Sequence, residues 1–170
     1  MRAPRREHVA RVARLMEEWA RGLRLPDEEI RRWAAAGWLH DALRDAPEDE
    51  LRATLGADGH DLPGPVLHGP AAALRIESVD PEIAAAVRWH TIGHPELGTL
   101  GAALFLADYL EPGRGHAPER RSALRARMPR DLPEVLREVV RERLIRTLEQ
   151  GRVLREEGVR WWNRLSEEAA

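Results

Sequence analysis

Six residues carry the most distinctive chemistry open to this sequence: His8, His40, Asp41, His68, His90 and Asp108. Imidazole and carboxylate bind divalent transition ions without help from sulfur. The chain has no Cys, which removes disulfides, a thiolate zinc site and a cysteine nucleophile. A metal here must be held by nitrogen and oxygen, a donor set suited to Fe, Mn, Co, Ni or Zn. The placement of the six against the apolar stripes is informative. His8 lies one helical turn before Val12, and Asp41 follows Gly37 by four residues on the inner face of its helix. His40 is offset from Asp41 by about 100° around the helix axis, so at a helix end both can reach one ion. His90 shares a face with Ile83 and Val87, and Asp108 follows Leu104 by four residues within the most apolar helix of the chain. An ionised carboxylate on a buried face is costly unless it is paired or binds a metal.

Each of these residues has a plainer reading when taken singly. A lone histidine on an apolar face is usually a core residue with satisfied hydrogen bonds. An aspartate in an apolar helix pairs readily with arginine, and all 27 basic residues here are Arg. The ordered set as a whole favours a metal centre, because several helices of a bundle can converge on one point.

Helix signals dominate the elements that must position these groups, and no segment sustains the alternation of a strand. Val9, Val12, Met16, Trp19 and Leu23 form a first stripe. Pro26-Asp27 opens a second helix with Ile30, Trp33, Ala34 and Gly37 leading to His40, and Trp19, Trp33 and Trp38 read as core. Asp45-Ala46-Pro47 starts a short helix ending at Leu55, since Asp caps and Pro fits the first turn. Residues 56–70 are rich in Gly and Pro and read as a loop carrying His60 and His68. Asp80-Pro81 caps the helix of His90. The turn Gly93-His94-Pro95 leads into the apolar helix, which Glu111-Pro112-Gly113 breaks. Further helices follow, one over 131–154 with Val135, Val139 and Leu148 inward. The terminal Trp161-Trp162 piece either docks on the bundle or makes a homodimer contact. The expected fold is all-α: a single domain over residues 1–170, with its motif-bearing core at about 6–114 and C-terminal helices at about 118–168.

The formal net charge of −2 gives no basic field for nucleic acid or an anionic membrane. No apolar run approaches a membrane span and the start lacks a signal-peptide core, so a cytoplasmic protein is expected. The Arg bias is chain-wide, and the basic stretch from Arg120 to Arg130 reads as an exposed helical face. His60 and His116, in Gly/Pro-rich loops, are left outside the site.

The order H…HD…H…H…D resembles the HD superfamily of metal-dependent phosphohydrolases. Trp89-His90-Thr91-Ile92-Gly93 and Leu106-Ala107-Asp108-Tyr109-Leu110-Glu111-Pro112-Gly113-Arg114 are similar to the WHTxG and LADYxEPxR signatures of its YqeK-like branch, the bacterial symmetrical dinucleoside tetraphosphate hydrolases. The resemblance runs from about Arg6 to Arg114. It implies a single HD-domain helical bundle in which His8, His40, Asp41 and Asp108 hold a first metal. Asp41 would bridge to a second ion held by His68 and His90. It implies one or two Fe ions, with Mn, Co, Ni or Zn as alternatives, and places Thr91, Gly93 and Arg114 near the nucleotide phosphates. Arg44 stands where HDxxK relatives have Lys, and His94 where they often have Arg. Both are read as substrate contacts, and Arg44 together with Asp41 as catalytic.

The implied activity is metal-dependent hydrolysis of diadenosine tetraphosphate to two ADP, with metal-bound hydroxide attacking an inner phosphate. Arg44 and Arg114 would neutralise phosphoryl charge, since phosphoryl transfer depends mostly on positioning and electrostatics. The alternatives are an HD nucleotidase or other nucleotide phosphohydrolase, and a non-catalytic nucleotide-binding regulator.

Overall fold

In the computed structural model, which describes residues 3–169, the backbone is built from nine α-helices with no strand among the described residues. They are α1 (Ala3–Gly22), α2 (Asp27–Leu39), α3 (Glu48–Leu55), α4 (His68–Ala73), α5 (Pro81–Trp89), α6 (Thr99–Leu110), α7 (Pro118–Arg127), α8 (Leu132–Glu149) and α9 (Glu156–Glu167). The all-α expectation is met. No helix among the described residues is long and apolar enough to cross a membrane.

Helix α6 is the centre of the packing. Nine of its 12 residues are buried, and it touches α1, α2, α5, α7 and α8. Its one inward carboxylate, Asp108, therefore starts from a rigid position. One large apolar cluster runs from Val12 and Met16 through Trp33, Val87 and Leu104 to Val139 and Trp161. A smaller one, Leu51, Leu55, Leu67 and Ala71, lies under α3 and α4.

Two glycines set how closely the site-bearing helices approach. At Gly37 a Cβ would lie 2.5 Å from Ala13 Cα, so only glycine lets α2 settle onto α1. At Gly69 a Cβ would lie 2.8 Å from the Val87 carbonyl oxygen and 3.2 Å from the His90 ring, so glycine seats α4 on α5. Helix α5 is fixed at its start by Asp80, which accepts a hydrogen bond from Ile83 N at 3.0 Å. Arg32 of α2 donates to both Asp80 oxygens at 2.8 and 3.0 Å, tying the two helices together.

Three expectations are corrected. Residues 56–70 are not simply a loop: they form 3-10 turns at Gly56–Gly59 and Gly64–Val66, and His68 opens α4. All six residues of α4 are buried, and this burial holds them in a helix despite Gly69 and Pro70. Trp38 is 53% exposed; five residues past Trp33, it points about 140° away from it around the axis. Leu148 is 60% exposed, on the last turn of a helix that ends at Glu149 before the positive-φ Gly151. The terminal Trp161 docks on the bundle, edge-on to Phe105 with ring centroids 4.8 Å apart.

Candidate metal centre

All six candidate ligands meet at one place. His40 is the C-cap residue of α2 and His90 that of α5, and both are fully inside the protein. His40 Nδ1 lies 2.7 Å from the Gly37 carbonyl oxygen, and His90 Nδ1 lies 2.7 Å from that of Val87. A carbonyl only accepts, so both Nδ1 atoms carry the hydrogen and, in the neutral rings, both Nε2 atoms present bare lone pairs. Burial holds His40 neutral by lowering its pKa. Burial, reinforced by the fields of His40 and His68, pushes His90 down to about 3.

His8 is oriented by Glu111, whose Oε1 lies 3.2 Å from Nδ1. Its Nε2 then faces His40 Nε2 at 3.2 Å and Asp108 Oδ1 at 3.2 Å. Across the site, His68 Nε2 lies 3.1 Å from His90 Nε2 and 3.0 Å from Asp41 Oδ1. Thr91 Oγ1 is 3.1 Å from the same His90 nitrogen. Asp41 stands between the pairs: its Oδ2 is 3.7 Å from both His8 Nε2 and His40 Nε2, while its Oδ1 faces His68 and His90.

Two sets of three ligand atoms result, His8/His40/Asp108 and Asp41/His68/His90, each with its atoms within 4.8 Å of one another. His40 and His90 each turn a bare Nε2 toward the Nε2 of another imidazole, His8 and His68, and such a contact needs a proton or a cation between the two nitrogens. His8 shows the same demand for positive charge: burial lowers its pKa, but hydrogen bonds to Asp108 and Glu111 more than reverse this and leave it raised. Both aspartates are held ionised. Burial would raise Asp41, but the His68 hydrogen bond and the fields of His40 and His90 hold it well below the carboxylate range. Burial would likewise raise Asp108, and His8 and Arg114 overcome it. The donor set fits divalent metal held by imidazole and carboxylate.

The plainer reading of the aspartates is also partly realised, because Arg5 pairs with Asp41 Oδ2 at 2.5 Å and Arg114 pairs with Asp108 Oδ1. Those side chains are 29% and 41% exposed and can swing away. The facing imidazoles, which arginine pairing does not explain, are locked in the core.

The site opens into a cleft of about 540 Å³. Arg44, Thr91 and Arg114 line it, as does Arg5. Arg44 Nη1 donates to the Pro65 carbonyl at 2.7 Å and lies 3.4 Å from His68 Nδ1. Arg121, Arg143, Arg146 and Arg152 form the opposite, C-terminal part of the lining. Gly93 and His94 are not brought to the cleft lining. Gly93, at φ 79°, packs against the Trp161 ring, and His94 stacks on Trp89 at 4.6 Å. His116, left outside the site on sequence grounds, lines the cleft, whereas His60 does not. An adjoining cavity of about 910 Å³ shares Thr91, Arg143 and Arg152 and is walled by Val66, Ile92, Phe105, Val140 and Leu144.

Sequence reasoning missed Glu111, which is 2% exposed and also accepts from Arg11 Nε at 2.5 Å and Gly113 N at 2.7 Å. Carboxylate support of a metal-binding imidazole is a recurrent device. Its signal was available: Glu111 follows Asp108 by three residues, one helical turn along the same face.

Comparison with known proteins places this arrangement. The HD domain family model matches residues 5–113. A protein named bis(5'-nucleosyl)-tetraphosphatase, symmetrical, from Staphylococcus aureus is 30% identical over 122 residues, 65% of this chain and 60% of that protein. A protein of the same name from Bacillus subtilis is 28% identical over 90 residues, 46% of this chain and 47% of that one. The chain thus spans about 60% or less of these curated relatives. A crystal structure from Clostridium acetobutylicum, titled a "predicted HD superfamily hydrolase involved in NAD metabolism", superimposes with a TM-score of 0.84 at 23% identity, covering 98% of this chain and 90% of that one. This likeness shows a shared fold.

Proposed function

This chain belongs to the HD domain family, and on that premise we propose that it is a metal-dependent phosphohydrolase that cuts symmetrical dinucleoside tetraphosphates into two nucleoside diphosphates. One observation carries the reading: two His/His/Asp triplets stand back to back about Asp41 at the floor of a cleft lined with arginine. The name carried by the Staphylococcus aureus and Bacillus subtilis relatives points to the substrate.

His8, His40, Asp108 and the shared Asp41 would hold one ion, and Asp41, His68 and His90 the other. Bound there, two divalent ions supply Lewis acidity and make water a competent nucleophile near neutral pH. The chain's own residues do the rest. Glu111 and the Gly37 and Val87 carbonyls orient three of the four imidazoles. Arg44, Thr91 and Arg114 line the path where phosphoryl oxygens must lie, and guanidinium is a good match for phosphate. The apolar walls of the adjoining cavity offer a place for a nucleoside. In the reaction, water oxygen bonds to one inner phosphorus and the bridging P–O bond breaks. The other half leaves as the second diphosphate, and the water protons are shared between the products and solvent. Asp41 and Arg44 act on the reacting group in this reading, and Arg5 joins them at the Asp41 rim.

The test is to load the protein with Fe(II), Mn(II) or Co(II), add diadenosine tetraphosphate and resolve the products by chromatography. Two ADP are expected. ATP plus AMP, or phosphate release from mononucleotides with the dinucleotide untouched, would overturn the assignment.

A further inference from the structure

Arg121 has no use in the reaction as described above. It is 6% exposed, and its Nε and Nη1 are buried without a hydrogen-bond partner. The basic stretch to which it belongs reads from sequence as a solvated helical face, but Arg121 turns inward and lines the cleft. Its guanidinium lies over the Tyr109 ring, with Cζ 4.5 Å from the centroid. Arg143 approaches the same ring at 6.0 Å and the Phe105 ring at 4.7 Å. One Arg143 nitrogen donates to the Thr91 carbonyl.

Among the described residues no carboxylate forms an ion pair with Arg121. Glu142 accepts from Tyr109 Oη and from Arg120, and Glu138 is taken by Arg120 and Arg127. Burial, only partly countered by Asp108 and Tyr109, lowers the pKa of Arg143, and Arg114 and Arg121 add like-charge repulsion. A buried guanidinium without a counter-charge is unfavourable, and ring faces compensate only partly. A multivalent anion entering from the cleft would satisfy both.

We propose that Arg121 and Arg143, flanking Tyr109, form an anion subsite beside the metal-ligand cluster that holds the phosphates of the departing half of a polyphosphate chain. The identity of that anion rests on the phosphohydrolase reading; the affinity of the pair for a chain of phosphates does not.

The experiment uses the full-length, metal-loaded protein with metal content matched between variants, and inorganic tripolyphosphate and orthophosphate as calorimetric probes. Arg121→Met is expected to weaken tripolyphosphate binding by about 10-fold or more and orthophosphate binding by less than about 2-fold, because only the longer chain spans both places. The same variant should melt at an equal or higher temperature without ligand, since an unpaired buried charge is removed, and should lose the rise in Tm that tripolyphosphate gives the wild type. If Arg121→Met does not fold, Arg121→Lys, which keeps the charge but loses the planar fork, should show the same selective loss. Unchanged tripolyphosphate binding, or an equal loss for orthophosphate, overturns the subsite. A lower melting temperature with the ligand-induced rise intact also overturns it, in favour of a structural role. The two ideas fail separately. Tripolyphosphate binding through Arg121 with no cleavage of any dinucleoside tetraphosphate keeps the subsite and removes the substrate. Cleavage with an unchanged KM in both variants does the reverse.

Discussion

His40 and His90 are built alike. Each is the residue that closes a helix, each hydrogen-bonds through Nδ1 to the carbonyl three residues before it at 2.7 Å, and their rings meet edge-on with centroids 5.1 Å apart. The helix end supplies an unpaired carbonyl, and the histidine uses it to fix its own tautomer. Both Nε2 atoms are thereby committed to the centre before any ligand arrives.

His40→Ala and His90→Ala should each therefore cost bound metal rather than only activity. Elemental analysis is expected to show less than one ion retained per chain in each variant, with hydrolysis reduced by about 100-fold or more, beyond the range typical of outer-shell changes. Full metal occupancy in either would place the centre elsewhere.

Replacing Gly37 with Ala puts a methyl group 2.5 Å from Ala13 Cα. Overpacking of this kind costs about 1–3 kcal/mol, to be read from denaturant unfolding. The larger effect should be on the metal, because prising α1 from α2 separates His8 from His40. Gly69→Ala is the counterpart for His68 and His90.

Glu111 gives a pH signature. Burial would raise its pKa, but hydrogen bonds with His8, Arg11 and Gly113 bring it from the ordinary 4.5 to about 2. A carboxylate lowered in the folded state stabilises fully above its unfolded value and loses that contribution as pH falls through the folded one. Between about pH 4.5 and 2 the protein should lose on the order of 3 kcal/mol from this group. Glu111→Gln should flatten that acid limb in pH-dependent denaturation, and weaken metal affinity by about 10- to 100-fold.

Arg44→Ala should leave metal content unchanged and lower kcat/KM for the dinucleotide by about 10- to 100-fold, the range of a lost charge-assisted hydrogen bond. Arg44→Lys should fall between, since a point charge replaces a fork. Steady-state kinetics with metal analysis on the same samples decides it; metal loss in Arg44→Ala would make the residue a support for His68 instead.

Helical phase alone was enough to turn Asp41, His90 and Asp108 inward, because each continues an apolar stripe on its own helix. Phase fixes direction only about one axis, so it could not say that Asp41 would stand between two histidine pairs. That depends on the close approach of α1 to α2 and of α4 to α5, which Gly37 and Gly69 permit and no periodicity announces. Trp38 shows the opposite error: aromatic type suggested the core, but a spacing of five turned it to solvent. Arg121 and Arg143 stayed hidden because arginine is spread over the whole chain, and a buried one looks no different in sequence from a solvated one.

The six candidate metal ligands all lie within 5–113, the region matched to the HD family, whereas Arg114, Arg121, Arg143, Arg146 and Arg152 of the cleft lining lie beyond it. The candidate ion-holding residues thus sit on one stretch of the polypeptide, whereas the cleft lining draws on that stretch, through Arg5, Arg44 and Thr91, and on the one that follows. On the proposed function, sequence change in the later stretch should alter which phosphate compound is admitted while the candidate ion-holding residues are left alone. Chimaeras joined just after residue 113 should exchange substrate preference between relatives without exchanging their metal requirement.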